Sequence, residues 1–258
     1  MQRGLRWLAV PAPDALLAAA LLRDPAGPLL TFYDDATGER TELSATSLAN
    51  WVAKTANLLR YDVGTAHGDR VAVLLPAHWQ TAAVLLGAWA AAAVVGTSAD
   101  GAAVAFATGD RVGEVTGADE VFALSLAPLG RGFASGPPAG TRDYSVDVLV
   151  QGDRWAGRPV PDGVPALETA GGTVSAGDLV EIALRRVAEL GLVAGDRMLS
   201  TASWDGPTGW VDGVLVPLAA GASVVMVTGA DPAALPHRAE TERVTATLGI
   251  RLPGIRAL

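Results

Sequence analysis

The sequence has no cysteine and three histidines, and this composition excludes several kinds of site. Without cysteine there is no disulfide, no thiolate metal ligand and no cysteine nucleophile. His67, His78 and His237 lie far apart and show no H-x-x-x-H spacing, so we expect no metal site. Lysine occurs once, at Lys54, and any chemistry that needs a lysine amine depends on that residue.

Positive charge is also scarce. The formal net charge of −8 leaves no broad basic surface for a phosphate backbone, so nucleic acid is not an expected partner. The uncharged run 79–99 approaches the length that spans a bilayer, but it contains Gln80 and Thr81 and has no basic flank. We therefore expect a buried helix followed by a strand, no membrane association and a cytoplasmic location.

Apolar periodicity divides the chain into alternating strands and helices. Half of the 258 residues are apolar, enough for one packed α/β domain at 14–258, preceded by a flexible segment at 1–13. A subdomain boundary is predicted near 130–145. The alternation predicts largely parallel sheets covered by helices. Strands are predicted at 29–34, 71–75, 94–95, 121–124, 146–150, 198–201, 223–227 and 244–249, and helices at 14–23, 44–59, 80–92, 175–190, 210–219 and 232–243.

Three stretches in a fixed order carry a resemblance to one family. They are residues 41–50, the run 68–76 with the helix and strand that follow it, and residues 195–226. Together they resemble the amino-terminal domain of the acyl-adenylate-forming enzymes, the AMP-dependent synthetase and ligase superfamily. The resemblance covers residues 14–249 and implies a truncated, degenerate relative, similar to short uncharacterised proteins of the same type.

The family's phosphate loop has a shortened counterpart at 169–174. Relatives carry the pattern T-S-G-T-T-G-x-P-K-G, whose amides, hydroxyls and lysine hold the phosphates of ATP. Thr169, Gly171, Gly172 and Thr173 match it loosely, but the Pro-Lys-Gly portion is missing and the loop runs directly into a helix. The resemblance implies that ATP or AMP could bind here through one anionic group. The alternative is a glycine turn that only joins a strand to a helix.

Residues 203–210 match the family segment that borders the acyl pocket. The histidine of that segment is absent, but the resemblance implies a pocket lined by Trp204 and Trp210, with Asp205 as a polar group in it. The alternative is that both tryptophans belong to the core, because they bury a large area and each indole N–H needs one partner.

Several family motifs have no counterpart in the sequence. They include the motif that orients adenine and Mg²⁺, the ribose-binding aspartate and the lysine of the carboxy-terminal domain. Adenylation needs cationic groups to stabilise charge on phosphorus, whereas Lys54 has polar helix neighbours that favour a solvated position. We therefore expect a non-catalytic protein that binds an acyl, nucleotide or protein partner, with no assignable catalytic residue. The alternative is a reduced acyl-adenylate or acyl-CoA ligase in which 169–174 and 203–210 face each other across a cleft.

Two further features have both a structural and a functional interpretation. His78 follows Pro76 at a strand-to-helix turn, where it either caps the helix or meets a ligand at the edge of the sheet. The loop 129–138 is rich in glycine and proline, and either lies on the surface or presents Arg131 to an anion. The G-x-S-x-G, P-loop and dinucleotide patterns are absent, which excludes those catalytic templates.

The carboxy-terminal strand 244–249 carries a prediction about assembly. We expect this strand or a neighbour to expose unpaired backbone groups and apolar surface, which proteins cover, charge or pair. Ile250, Leu252 and Ile255 could cover part of this surface, but we expect the tail alone to be insufficient. The sequence thus predicts a homodimer or a protein partner at this edge.

Overall fold

The computed structural model describes residues 12–258, and what the sequence predicts for residues 1–11 lies outside this range. The first helix begins at Pro13, at the end of the segment predicted to be flexible. The helices are α1 (Pro13–Arg23), α2 (Ala45–Asn57), α3 (Trp79–Ala90), α4 (Tyr144–Asp147), α5 (Ala176–Leu190), α6 (Pro207–Trp210), α7 (Val216–Ala220) and α8 (Leu235–Thr241). A π-helical segment, Leu58–Val63, extends α2, and another, Val211–Leu215, joins α6 to α7.

The strands form two sheets, both largely parallel. They are β1 (Pro28–Asp34), β2 (Glu39–Ser44), β3 (Arg70–Leu74), β4 (Val94–Gly96), β5 (Val104–Thr108), β6 (Glu120–Leu124), β7 (Arg142–Asp143), β8 (Pro165–Thr169), β9 (Gly172–Ser175), β10 (Arg197–Ser200), β11 (Ser223–Thr228), β12 (Ala246–Leu248) and β13 (Arg256–Ala257). The first sheet has the order β13-β12-β10-β11-β1-β2, and the second has the order β7-β6-β5-β3-β4-β8-β9. The antiparallel pairs are the hairpins β1–β2 and β8–β9. The predicted α/β class with largely parallel sheets is therefore confirmed.

Local capping signals set the ends of two central helices. The hydroxyl oxygen of Ser44 accepts the N–H of Ser47 and begins α2. Ser175 accepts the N–H of Asp178 in the same way and begins α5. Gly191 ends α5 in the left-handed conformation, with φ of 64°. These ends follow the sequence pattern because each depends on residues within one helical turn.

A layer of helices packs between the two sheets. Every residue of α3 is buried, and this helix contacts β1 of the first sheet and β4 of the second. Phe32 and Phe106, one from each sheet, belong to the same core cluster. Alternate residues of a strand face opposite ways, so Ala72 and Leu74 form a smaller cluster on the outer face of the second sheet. The uncharged run 79–99 is thus interior, and within residues 12–258 no helix is long and apolar enough to cross a membrane.

The region before β8 departs from the predicted pattern. Residues 146–150 do not form a strand, because Asp143 accepts the N–H of Ser145 and caps the short helix α4. Val146 and Val150 are exposed, so their apolar character does not mark a buried strand. Strands β2, β5, β7, β8, β9 and β13 were not predicted. The loop 129–138 joins β6 to β7 within one sheet, and a subdomain boundary there remains a prediction.

The tail of the chain covers the edge that was expected to be open. Strand β13 pairs in parallel with β12, and the N–H of Leu258 donates to the carbonyl oxygen of Thr247 at 2.8 Å. Ile250, Leu252 and Ile255 pack against the outer cluster of the first sheet. The expectation that the tail is insufficient is therefore wrong. A homodimer or protein partner remains a prediction, without this argument to support it.

Candidate functional site

One cleft contains residues from both segments that the sequence singles out. It lies between the β8–β9 hairpin, α5 and the start of α6, and has a volume of about 360 Å³. Thr169 contributes from one segment, and Pro207 and Thr208 contribute from the other. We call it the hairpin cleft; it is lined by Leu167, Thr169, Val174, Ile182, Arg185, Arg186, Glu189, Pro207, Thr208, Val211 and Asp212.

The hairpin cleft combines an apolar floor with an arginine at its rim. Arg186 is held by Asp212, with its Nε atom 2.9 Å from the carboxylate, and also contacts Glu189. Arg185 has a side chain 64% exposed, and its nearest carboxylate, that of Glu181, is 3.9 Å away. Arg185 is therefore available to an incoming anion, whereas Arg186 already has its partners. An apolar pocket with a solvent-exposed guanidinium at its rim suits a carboxylate that carries an apolar tail.

The segment matched to the phosphate loop forms the tip of a tight hairpin. The hydroxyl of Thr169 accepts the N–H of Gly171 at 3.2 Å and donates to the carbonyl oxygen of Gly172 at 2.8 Å. Gly172 and Thr173 belong to β9 and are exposed, so a strand stands between the turn and α5. The turn thus closes on its own polar groups, and its role in phosphate binding remains a prediction.

The amino terminus of α5 is also closed by its own side chains. The carboxylate of Asp178 accepts the hydroxyl of Ser175 at 2.7 Å, while the Ser175 oxygen accepts the N–H of Asp178. A carboxylate at this position complements the positive end of the helix dipole. The same charge would repel a phosphate group that approached the helix end.

Trp204 and Trp210 are both buried, each with 1% exposure, and neither lines the hairpin cleft. The Nε1–H of Trp210 donates to the carbonyl oxygen of Trp204 at 3.0 Å. The Trp204 indole packs directly on Gly213, where an added Cβ would lie 2.1 Å from Nε1. The two tryptophans therefore support the wall of the cleft from behind. Their assignment to an acyl pocket remains a prediction.

Asp205 faces a different cleft, at the carboxyl ends of β3, β5 and β6. This strand-end cleft has a volume of about 650 Å³ and occupies the edge where parallel α/β sheets commonly bind ligands. Its one guanidinium, that of Arg111, is held by Glu114 through three hydrogen bonds. Sequence reasoning singled out Asp205 but missed Thr108, Asp110 and Arg111, because β5, which ends at Thr108, reads Val-Ala-Phe-Ala-Thr and alanine is a weak strand signal. The lining residues are Pro76, Thr108, Gly109, Asp110, Arg111, Leu124, Ser125, Leu126, Phe133 and Asp205.

Lys54 takes part in neither cleft. Its Nζ atom lies 2.7 Å from a carboxylate oxygen of Asp153 and donates to the carbonyl oxygens of Leu149 and Gln151. These contacts fasten the connection between α4 and β8 to the polar side of α2. The single lysine therefore has a positional role in this structure.

His78 caps α3 and is 3% exposed. Its Nδ1 atom accepts the N–H of Gln80 at 3.1 Å, and its ring meets Phe32 edge to face at 4.4 Å. Burial lowers the pKa of His78 to about 3, so the imidazole is neutral at physiological pH. The capping interpretation of His78 describes these contacts.

Arg131 is exposed, and its Nε–H donates to the carbonyl oxygen of Pro128. The preceding residues Leu126 and Leu129 adopt left-handed backbone conformations, with φ of 52° and 63°. Such conformations cost a leucine roughly 1–2 kcal/mol. Leu126 lines the strand-end cleft, so this loop forms part of its wall.

Comparisons with solved structures show the fold of acyl-CoA synthetases. Acetoacetyl-CoA synthetase from Streptomyces lividans aligns with a TM-score of 0.73 and 21% identity, over 92% of this chain and 42% of its own. An acyl-CoA synthetase from Brucella canis gives 0.72 and 20%, over 92% and 47%. The amino-terminal domain of FACL13 from Mycobacterium tuberculosis gives 0.66 and 16%, over 92% and 62%. The chain thus spans about half the length of such enzymes, and its resemblance to their amino-terminal domain is confirmed.

A curated relative is much closer in sequence. No family model matches the chain. A TIGR03089 family protein from Mycobacterium tuberculosis H37Rv is 50% identical over 245 residues, which cover 91% of this chain and 96% of that protein. This level of identity over nearly the whole of both chains shows that the protein belongs to the TIGR03089 family and has the α/β fold of the acyl-CoA synthetases.

Proposed function

We propose that this protein binds a small carboxylate with an apolar tail in the hairpin cleft, and does not activate it with ATP through residues 169–173. The observation that carries the proposal is the meeting of Thr169 with Pro207 and Thr208 around an apolar floor. An acyl ligand is the chemistry that the fold's relatives also handle, since two of them are named acyl-CoA and acetoacetyl-CoA synthetases.

The binding half of the proposal depends on Arg185 and the apolar floor. Leu167, Val174 and Ile182 supply the floor, and the exposed guanidinium of Arg185 supplies the anion partner. A hydrogen bond to a charged group contributes about 1.5–3 kcal/mol, so Arg185 fixes the orientation of the carboxylate more than it determines total affinity. Burial of the tail provides the remainder.

The non-catalytic half depends on groups that are already engaged. The turn at Thr169 closes on itself, Asp178 occupies the amino terminus of α5, and Lys54 is held by Asp153. Phosphoryl chemistry requires cationic or amide groups aimed at the developing charge. None of these three places offers such a group while its present contacts persist.

The test combines titration with an exchange assay. Octanoate is titrated into the wild type, Arg185→Gln and Thr208→Phe, where the phenyl ring occludes the exposed mouth of the cleft. We expect octanoate to bind the wild type, with affinity reduced at least about tenfold in both variants. Arg154→Gln, at an exposed arginine that does not line this cleft, serves as the matched control and retains affinity. Wild-type affinity in both cleft variants contradicts the binding half.

Exchange of labelled pyrophosphate into ATP then tests the absence of activation. We expect no exchange above background with octanoate, and the same background in Thr173→Ala. Carboxylate-dependent exchange that Thr173→Ala abolishes would overturn this half while leaving the binding result intact.

A second candidate function is a reduced acyl-adenylate or acyl-CoA ligase that uses ATP or AMP. One observation favours it: Thr169 and Thr208 line the same cleft, as that hypothesis requires. The two candidates share the ligand and differ in the exchange assay alone, so the assay above separates them. The ligand of the hairpin cleft could also be a nucleotide or a protein partner in place of an acyl group, and these alternatives are counted among the outcomes of the titration.

A further inference from the structure

A third cleft lies beside Trp155, at the edge of the second sheet that is opposite to the strand-end cleft. It has a volume of about 560 Å³, within the range of small-molecule sites. His67, Ala92 and Val164 lie shortly before β3, β4 and β8, so this cleft is at the amino-terminal ends of those strands. It is therefore separate from the hairpin cleft and the strand-end cleft. We call it the Trp155 cleft; it is lined by Arg60, Tyr61, His67, Ala90, Ala92, Trp155, Ala156, Gly157, Arg158, Pro159, Val160, Pro161 and Val164.

The charged side chains that line the Trp155 cleft are the guanidinium groups of Arg60 and Arg158. Arg60, His67 and Arg158 line it, and no carboxylate does so among the described residues. Within residues 12–258 none of these three groups forms an ion pair, and segment 1–11 contains no aspartate or glutamate. Nine of the sixteen described arginines form ion pairs with carboxylates, whereas Arg60 and Arg158 line this cleft without one. Two guanidinium groups that line one cleft with no carboxylate favour an anion from outside the chain.

The donors of Arg60 are oriented before any ligand arrives. The Nη1 atom of Arg60 donates to the carbonyl oxygen of Thr65, at the end of the π-helical segment. This contact orients one edge of the guanidinium and leaves its remaining N–H groups for a partner. Arg158 lies on the opposite, proline-rich segment and is exposed. A guanidinium fork presents paired donors that match the oxygens of phosphate or carboxylate.

Aromatic surface adjoins these cations. The rings of Tyr61 and Trp155 lie 6.1 Å apart between centroids, and Tyr61 is 73% exposed. The chain passes so close to the indole at Gly157 that a Cβ there would lie 2.2 Å from the Trp155 ring. Because Gly157 has no side chain, the indole of Trp155 can pack directly against its own loop. A planar ligand ring can stack on such a surface, and exposed aromatic faces gain most from a partner that also satisfies the adjacent charge.

We propose that the Trp155 cleft binds a small anion carried on a planar aromatic ring, with Arg60 and Arg158 on the anionic group and Trp155 on the ring. Both aryl phosphates and aryl carboxylates have this chemistry. The proposal is independent of the acyl ligand proposed for the hairpin cleft, because the two clefts have no lining residue in common.

Fluorine NMR titration of the full chain with para-fluorophenyl phosphate and, separately, para-fluorobenzoate tests the proposal. We expect saturable binding of at least one probe, weakened at least about tenfold in Arg158→Gln and in Trp155→Leu. The side chain of Arg158 is exposed, so we expect Arg158→Gln to fold as the wild type does. Weaker binding by this variant therefore reports on the cleft. Arg154→Gln is the matched control, because Arg154 is the adjacent exposed arginine and does not line the cleft. It is expected to bind as the wild type does.

Preference between the two probes identifies the anion. Tighter phenyl phosphate points to a phosphate ester and tighter benzoate points to a carboxylate, and either result supports the site. The proposal is overturned if neither probe saturates below about 10 mM, a limit that corresponds to negligible specific affinity. It is equally overturned if Arg154→Gln weakens binding as much as Arg158→Gln does.

Discussion

The hydroxyl of Thr169 donates to the carbonyl oxygen of Gly172, 2.8 Å away, and this bond closes the turn of the β8–β9 hairpin. The same hydroxyl oxygen accepts the N–H of Gly171. The Thr169 hydroxyl and the Gly171 N–H, two donors that could meet a phosphate, are therefore paired within the turn. The family's phosphate loop and this hairpin occupy matching places in the chain but have different local chemistry.

The closed turn predicts that ATP with Mg²⁺ leaves the backbone amide resonances of Gly171, Gly172 and Thr173 in place. Nitrogen–proton correlation spectra of the wild type measure this directly, with Thr169→Val as the variant that opens the turn. Saturable shifts of these three amides in the wild type, lost in Thr169→Val, would contradict the closed-turn account.

His78 predicts a specific pH dependence of stability. Its pKa lies at about 3 in the folded chain, below the ordinary value of 6.5, because burial disfavours the charged imidazole. The folded state therefore loses stability as pH falls below 6.5, at up to about 1.4 kcal/mol per pH unit, while full stability is present above 6.5. Urea unfolding between pH 7 and about pH 5, above the range where most carboxylates titrate, isolates this effect.

The variant His78→Asn checks the assignment. Asparagine can still cap α3, but it does not titrate, so its unfolding free energy should be nearly constant over the same pH interval. An unchanged slope in His78→Asn would show that another group is responsible.

Glu242 predicts a large loss of stability on neutralisation. Burial alone would raise the pKa of Glu242, but hydrogen bonds from Tyr33, Arg197 and Arg40 hold it below its usual value. Its side chain is 5% exposed, and replacing the carboxylate leaves the guanidinium of Arg197 without its partner. We expect Glu242→Gln to reduce the unfolding free energy by about 3 kcal/mol at pH 7.

Glu240→Gln is the matched control for that measurement. Glu240 is exposed in the last turn of α8, two residues before Glu242, and its substitution should change the unfolding free energy by less than about 0.5 kcal/mol. Equal effects of the two substitutions would indicate that the network around Glu242 does not stabilise the fold.

Gly213 is predicted to be intolerant of a methyl group. An added Cβ would lie 2.1 Å from Nε1 of Trp204, and because this indole is buried, the ring or the backbone of its surroundings must shift. We expect Gly213→Ala to lower the unfolding free energy by about 1–3 kcal/mol, although alanine is otherwise the better helix former. Gly163→Ala, where nothing lies within 4 Å of the new Cβ, provides the comparison and should be nearly neutral. Calorimetric unfolding of both variants decides the point.

The parts of the fold that the sequence predicted are those with short-range causes. The predicted helix starts at 44 and 175 and the predicted helix end at 190 depend on Ser44, Ser175 and Gly191, which cap the helices within one turn of chain. Strand β5 was not predicted, because its alanines give little strand preference and its position depends on pairing with β3 and β6. The tail strand β13 was not predicted, because its pairing with β12 depends on the packing of Ile250 and Leu252 against the first sheet.

The candidate site was predictable only in outline. The resemblance led to the alternative in which 169–174 and 203–210 face each other, and Thr169, Val174, Pro207 and Thr208 line the same cleft. The closure of the turn at Thr169 depends on the register of β8 against β9, which has no signature within the loop itself. The availability of Arg185 depends on Asp212 pairing with its neighbour Arg186, a contact between residues 26 positions apart.

The most direct test of the central claim is a crystal structure of the full chain with ω-bromo-octanoate, in which anomalous scattering locates the bromine. The account predicts one bromine peak over the apolar floor of the hairpin cleft, near Val174 and Ile182, with the carboxylate at Arg185. A bromine peak in the strand-end cleft or the Trp155 cleft, or an empty hairpin cleft at saturating ligand, would contradict it.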